Sequence, residues 1–112
     1  EFRRVLFRSG DMLYQLAELE VDPQEKKNKY DKAVEAYESA TNRYSDEPES
    51  LEAIVRTAIC YRKMNRPSSA RTALAQAKQF INDRIPMDAD YENTTRYSRD
   101  EWLAYLDVLD KL

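Results

Sequence analysis

The feature that most constrains the fold is an internal repeat, because two stretches of the chain match at an offset of 37 residues. In each stretch, alanine, a large residue and alanine stand at positions i, i+4 and i+7, which share one face of a helix. These ladders are Ala33, Tyr37 and Ala40, and Ala70, Leu74 and Ala77. A second apolar helical pattern precedes each ladder, carried by Leu13, Leu16 and Ala17 and by Ile54, Ala58 and Tyr61. Helix pairs that recur at this period predict an α-solenoid, in which each unit buries its apolar face by stacking on the next.

Start signals place the helices along the chain. Asp22-Pro23-Gln24-Glu25 combines a cap residue, a proline in the first turn and a glutamate that completes a capping box. Asp46 with Glu49 and Ser98 with Glu101 predict two further capped starts. The predicted helices cover about residues 11–20, 23–44, 47–64, 67–83 and 99–112. We therefore predict an all-α fold of antiparallel helices with one polar loop before the last helix.

The repeated unit resembles the tetratricopeptide repeat, a 34-residue pair of helices. Ala58 and Tyr61 match the small residue and the aromatic of its first helix, and Asn65 stands at the tight turn, where it tolerates a positive φ. Both ladders match the pattern of the second helix. The earlier unit fits less well, because Glu20 stands where an aromatic is expected. The resemblance covers about residues 11–82 and implies an array whose first helices line a concave groove.

Residues 1–9, EFRRVLFRS, resemble a translated sequencing adapter. Val5-Leu6-Phe7 is too short for the apolar run of a signal peptide. We therefore expect this segment to be non-native and exclude it from the fold. Residue 10 onward is then expected to be the C-terminal part of a longer repeat protein of the bacterial type. We also expect an apolar face of the first helix to be exposed, because an upstream repeat would normally cover it.

Composition and charge narrow the function classes. Charged residues make up 35% of the chain and hydrophobic residues 42%, which suits short amphipathic helices. Without residues 1–9, the 18 basic and 21 acidic residues fall to 15 and 20, a formal charge of −5. Nucleic acids and anionic membranes are bound by cationic faces, so we expect neither as a partner. No apolar run approaches the ~18 residues of a membrane-spanning helix.

The residues that usually carry catalysis are scarce. The chain has no histidine, one cysteine and one glycine, which excludes a Cys–His pair, the usual zinc spacings and a phosphate-binding glycine loop. Asp88, Asp90 and Glu92 alternate as in an EF-hand, but Asn93 and Arg99 replace the required glycine and glutamate. We expect no enzyme activity, no cofactor and no metal site.

These observations divide the chain into four parts: a non-native segment at 1–9, repeat 1 at 10–46, repeat 2 at 47–84, and a polar loop with a capping helix at 85–112. Two functions are compatible with that organisation. One is a non-catalytic module that binds a peptide or protein in the concave groove. The other is a structural end-cap or oligomerisation segment with no binding site of its own.

The resemblance also implies which residues face a partner. They lie on the first helix of each unit, on the face away from its partner helix: Tyr14, Glu18, Val55, Ile59 and Arg62. Val55 and Ile59 occupy the places where some family members carry a lysine–asparagine clamp for a C-terminal carboxylate. We therefore expect apolar contact from Tyr14, Val55 and Ile59, and an acidic group of the partner at Arg62.

Overall fold

A computed structural model describes residues 2–111, with side chains from Val5 onward. It is an all-α fold, as predicted. The helices are α1 (Phe2–Leu19), α2 (Pro23–Arg43), α3 (Pro48–Lys63), α4 (Pro67–Gln79), α5 (Tyr91–Thr94) and α6 (Arg99–Asp110). A π-helical turn, Phe80–Arg84, continues α4.

Helices α1 and α2 form the first antiparallel pair. The Tyr37 hydroxyl donates to Asp11 Oδ1 at 2.6 Å, and the Tyr30 hydroxyl donates to Glu18 Oε1 at 2.5 Å. The pair is close because Gly10 faces the Tyr37 ring, where a Cβ atom would lie 2.5 Å from the ring carbons. The ladder of α2 is buried in the same seam, because Ala33, Tyr37 and Ala40 are each at most 1% exposed.

Helices α3 and α4 form the second pair, joined by a turn in which Asn65 has φ 61°. This confirms the left-handed residue expected at the turn. Helix α3 also lies beside α1 in parallel orientation, because Arg56 contacts Asp11 near the middle of α1 and Lys63 contacts Glu18 near its end. The two pairs therefore stack as helical repeats, with the first helix of each pair on the same side.

Two of the three predicted caps are confirmed. Asp22 accepts the backbone N–H of the residue three positions on at 2.9 Å. The capping box predicted there does not form, because the Asp22 N–H donates to Glu20 Oε2 at 3.2 Å instead. Ser98 with Glu101 forms a full capping box. The cap predicted at Asp46 is wrong, because the N-cap position of α3 is occupied by Glu47, whose side chain makes no capping hydrogen bond. Proline at the first position of α3 has no N–H to satisfy, which weakens the need for a capping side chain.

The start predicted for the first helix, near Asp11, is wrong. Helix α1 begins at Phe2 and runs without a break through the segment excluded at the sequence level. Phe7 is only 9% exposed, and its ring centroid lies 6.2 Å from that of Tyr44. Residues of that segment are therefore part of the packed fold, whereas its origin in an adapter stays a prediction.

One face of α1 is apolar and exposed, as expected. Met12 is 62% exposed and Leu19 78% exposed, and Val5 lies on the same face at a spacing of seven residues. Leu16 was expected in the seam with α2 but is 44% exposed, because the fully buried Ala17 takes the inward position. A shift of one residue turns a side chain by about 100° around the helix.

The C-terminal helix α6 docks on the second pair. Trp102, Leu106 and Leu109 are buried in one cluster with Leu74 and Ile81, and the aspartates of α6 face water. Lys78 of α4 makes an ion pair with Asp110 at the edge of this contact. The loop between α4 and α6 contains the short α5, whose first residue Tyr91 is buried.

Candidate functional site

A groove runs along the parallel helices α1 and α3 and is closed on its far side by the segment from α5 to α6. Glu52, Val55, Arg56 and Ile59 lie at i, i+3, i+4 and i+7 on α3, so they share one helix face. We call the whole feature the α1–α3 groove, and it consists of two adjoining clefts that share Glu52 and Arg56.

The larger part, which we call the aromatic cleft, has a volume of about 340 Å³. Its lining is dominated by aromatic and aliphatic side chains, with a few polar groups between them. The lining residues are Tyr14, Gln15, Glu52, Val55, Arg56, Ile59, Arg96, Tyr97, Trp102 and Tyr105. A concave, mostly apolar site with few polar groups is the usual form of a ligand-binding pocket.

Three aromatic rings make the wall of the aromatic cleft opposite α1. The Tyr97 and Trp102 centroids lie 5.0 Å apart in an edge-to-face arrangement, and the Tyr97 and Tyr105 centroids lie 5.6 Å apart. The indole Nε1–H of Trp102 donates to Thr95 Oγ1 at 2.9 Å. The indole is only 1% exposed, so this wall is packed and hydrogen-bonded rather than loose.

Arg56 lies at the junction of the two clefts. Its Nε is 3.4 Å from Asp11 Oδ1 and 3.9 Å from Glu52 Oε2, and the guanidinium carbon lies 5.9 Å from the centroid of the Tyr14 ring. This Nε is buried, yet it has no hydrogen-bond partner among the described residues. Burial lowers the pKa of Arg56, but the nearby oxygens of Tyr37, Asp11 and Glu52 raise it by more than burial lowers it. The pKa is therefore raised overall, and the guanidinium stays charged.

The smaller part, which we call the polar cleft, has a volume of about 280 Å³. It is lined by Phe7, Arg8, Asp11, Tyr37, Glu49, Glu52, Ala53, Arg56, Asn93 and Thr94. Burial and the hydrogen bond to Asp11 raise the pKa of the Tyr37 hydroxyl. This hydroxyl therefore stays protonated and holds the Asp11 carboxylate beside Arg56.

The structure brings together three of the five residues predicted to contact a partner. Tyr14, Val55 and Ile59 all line the aromatic cleft, although Val55 is only 2% exposed. Glu18 and Arg62 lie outside it, toward the carboxyl ends of α1 and α3.

Both of these outlying residues have contacts within the chain. Arg62 Nη2 donates to the Leu109 carbonyl of α6 at 3.3 Å. Glu18 Oε1 lies 2.9 Å from Lys63 Nζ and also accepts the Tyr30 hydroxyl. Both hydrogen bonds lower the pKa of the Glu18 carboxyl, and the one from Tyr30 contributes more than the one from Lys63.

Sequence reasoning missed Arg56 and the aromatic wall. Arg56 could have been found, because it lies three residues before Ile59 and so shares the groove face of α3. Nothing in the local sequence indicates that Tyr97 and Tyr105 line the same cleft as Tyr14, since that arrangement requires the loop after α4 to return across α3.

In the described part of the chain, neither a cluster of metal ligands nor an exposed cysteine is found. Between residues 2 and 111, no three His, Cys, Asp or Glu side chains are grouped so that they could hold a metal ion. No helix in that range is both long enough and apolar enough to cross a bilayer. Cys60 is fully buried, and burial raises the pKa of its thiol from 9.0 to about 12.

We expect the native Cys60 thiol to be unreactive toward Ellman's reagent at about pH 8, because the thiolate is the reacting species. The urea-unfolded chain should react within minutes. The raised pKa of the Cys60 thiol also makes the free energy of unfolding fall as pH rises from 9 toward 12. The folded state holds the thiol proton more tightly than the unfolded chain does. Absorbance of the released thionitrobenzoate measures the rate, and native reaction as fast as unfolded reaction would contradict the burial of Cys60.

Comparison with known proteins places the chain in a family. The family model described as tetratricopeptide repeat matches residues 4–47 and 52–80, which is more than half of the chain. Neither the curated proteins nor the solved structures include one that matches the chain. The matched residues include both antiparallel helix pairs and the left-handed turn between α3 and α4, and the chain belongs to the tetratricopeptide repeat family.

Proposed function

We propose that this chain is a non-catalytic module that binds a peptide or a partner protein in the α1–α3 groove. Tetratricopeptide repeats generally mediate protein–protein interaction. The observation that carries the proposal is the aromatic cleft, an open concavity of about 340 Å³ whose lining includes Tyr14, Val55 and Ile59.

The proposed contact residues are those predicted from the sequence, in two groups. Tyr14 and Ile59 would give apolar contact inside the aromatic cleft, whereas Val55, only 2% exposed, would form its floor. Glu18 and Arg62 would flank it toward the carboxyl ends of α1 and α3, where each already contacts a neighbouring helix. Interfaces of this kind derive most of their affinity from a few buried anchors, with polar groups at the rim.

A partner can be captured through Gln15, which is exposed and lines the aromatic cleft. A photo-crosslinking amino acid at position 15 should form adducts with a partner, whereas the same amino acid at Gln76, exposed on α4, should not. Equal crosslinking from both positions would count against the groove.

For a partner identified in this way, Ile59→Asp combined with Arg62→Glu should weaken binding by about tenfold or more. The aspartate places an unpaired charge in an apolar contact, and the glutamate reverses the charge at the end of the groove. Isothermal titration measures the affinity, and helical circular dichroism checks that the variant is folded.

The matched control is Arg71→Glu with Thr72→Asp, two exposed positions on α4. This control adds the same charges away from the groove and should leave the affinity unchanged. An unchanged affinity in the groove variant would move the function elsewhere.

One observation favours the second candidate, a structural end-cap. Helix α6 packs Trp102 against the cluster that contains Val55, and its Leu109 carbonyl accepts Arg62. A solenoid needs a terminal element with a polar outer face, and Asp107 and Asp110 provide one on α6. If the groove variant binds normally but α6 variants disrupt assembly of a longer array, the end-cap is the function.

A further inference from the structure

The outer face of α1, which is turned away from the rest of the fold, is apolar along most of its length. Val5, Met12 and Leu19 repeat every seven residues, and Leu16 lies one turn after Met12 on the same face. We call these four residues the α1 stripe. Their side chains are 54%, 62%, 78% and 44% exposed in the order named. From these fractions the stripe exposes roughly 450 Å² of apolar side chain, a size at which the largest patch of a monomer is often functional.

The charged groups of α1 lie mostly off this stripe. Asp11 and Glu18 accept hydroxyl groups of α2 at 2.6 and 2.5 Å, so both carboxylates turn toward that helix. Arg8 is then the one charged side chain that borders the stripe within the described part of α1. A surface with so little charge loses little hydration when another apolar surface covers it.

The spacing of the stripe makes it complementary to itself in an antiparallel pair. Met12 lies seven residues from both Val5 and Leu19, so a two-fold axis at Met12 sets Val5 of one copy against Leu19 of the other. The same axis separates the two Arg8 positions by about 12 Å along the helices. A parallel pair would instead bring the two arginines side by side, where like charges repel.

We propose that two copies of this chain associate through the α1 stripe, with their α1 helices antiparallel. Two stripes together bury roughly 900 Å² of apolar side chain, and the polar residues that border them bring the total above the roughly 1,000 Å² expected of a specific interface. Tyr14, which lines the aromatic cleft, is two residues from Met12 and so lies about 200° around the helix from it. Association therefore leaves the α1–α3 groove of each copy open.

Sedimentation velocity of the whole chain over a range of concentrations tests the association. We expect the mass to rise from that of one chain to that of two at micromolar concentrations. Met12→Glu places two carboxylates against each other at the axis and should weaken association by about tenfold or more. Met87→Glu is the matched control, because Met87 is 77% exposed in the loop that follows the π-helical turn. It should leave association unchanged, and circular dichroism shows that both variants are folded.

Single cysteine substitutions test the orientation. Val5→Cys mixed with Leu19→Cys should be crosslinked by a short bismaleimide, whereas neither variant should crosslink with itself. Met12→Cys should crosslink with itself, because its position lies on the axis. The native Cys60 is buried and does not compete for the reagent.

Three results would overturn the proposal. The first is the mass of a single chain at every concentration up to about 1 mM, which would leave the stripe to a different protein. The second is association of Met12→Glu as strong as that of the unaltered chain. The third is crosslinking of Val5→Cys with itself, which would mean a parallel pair. None of the substituted residues lines the α1–α3 groove, so these outcomes are separate from the test of the proposed function.

Discussion

Trp102→Ala is expected to lower the free energy of unfolding by ~3–5 kcal/mol, the range for removal of a large buried aromatic. Trp102 is 1% exposed, packs with Leu106 and Leu109 against the second helix pair, and donates its indole N–H to Thr95. Truncation would leave a cavity where α6 meets the core and would remove the hydrogen bond that Thr95 Oγ1 accepts from the indole. A loss of this size is a large part of the stability of a small domain.

Urea titration followed by circular dichroism measures the effect, since the variant has no tryptophan fluorescence. Val108→Ala is the matched control, because Val108 lies on the same helix and is 56% exposed. It should change stability by less than about 0.5 kcal/mol. If the alanine variant is unfolded, Trp102→Phe gives a graded loss. A loss below about 1 kcal/mol for Trp102→Ala would mean that α6 is not part of the core.

Phe7→Ala is expected to cost about 3 kcal/mol, at the low end of the range for buried phenylalanine. Phe7 is 9% exposed in the cluster between α1 and α2, against Tyr44. The cost is limited because Phe7 lies in the second turn of α1, where the helix can fray. This result would run against the exclusion of residues 1–9 from the fold in the sequence analysis.

The same urea titration decides between the two views. Val5→Ala, at a side chain 54% exposed on the same turn of α1, should have little effect. If Phe7→Ala also has little effect, the residues before Gly10 add nothing to stability, and the interpretation of that segment as non-native gains support. A loss near 3 kcal/mol would mean that the segment stabilises the fold, whatever its origin.

Much of the fold follows from local chemistry in the sequence. The ladders of α2 and α4 predicted the seams of both helix pairs, because residues at i, i+4 and i+7 share a helix face whatever the partner is. Asp22 and Ser98 were predicted as caps, since a cap is a hydrogen bond to a backbone N–H two or three residues away. The positive φ of Asn65 is likewise a property of one residue at one turn.

Only the tertiary structure decided the start of α1 and the composition of the groove. Phe7 is buried because Tyr44 lies beside it, and that contact joins residues 37 positions apart. Arg56 contacts Asp11, which lies 45 positions earlier, and Tyr97 and Tyr105 line the same cleft as Tyr14, from which they are separated by more than 80 positions. Such contacts depend on how α1, α3 and the loop after α4 pack together. The sequence by itself determined which helix faces are apolar, whereas packing determined which polar and aromatic groups those faces bring together.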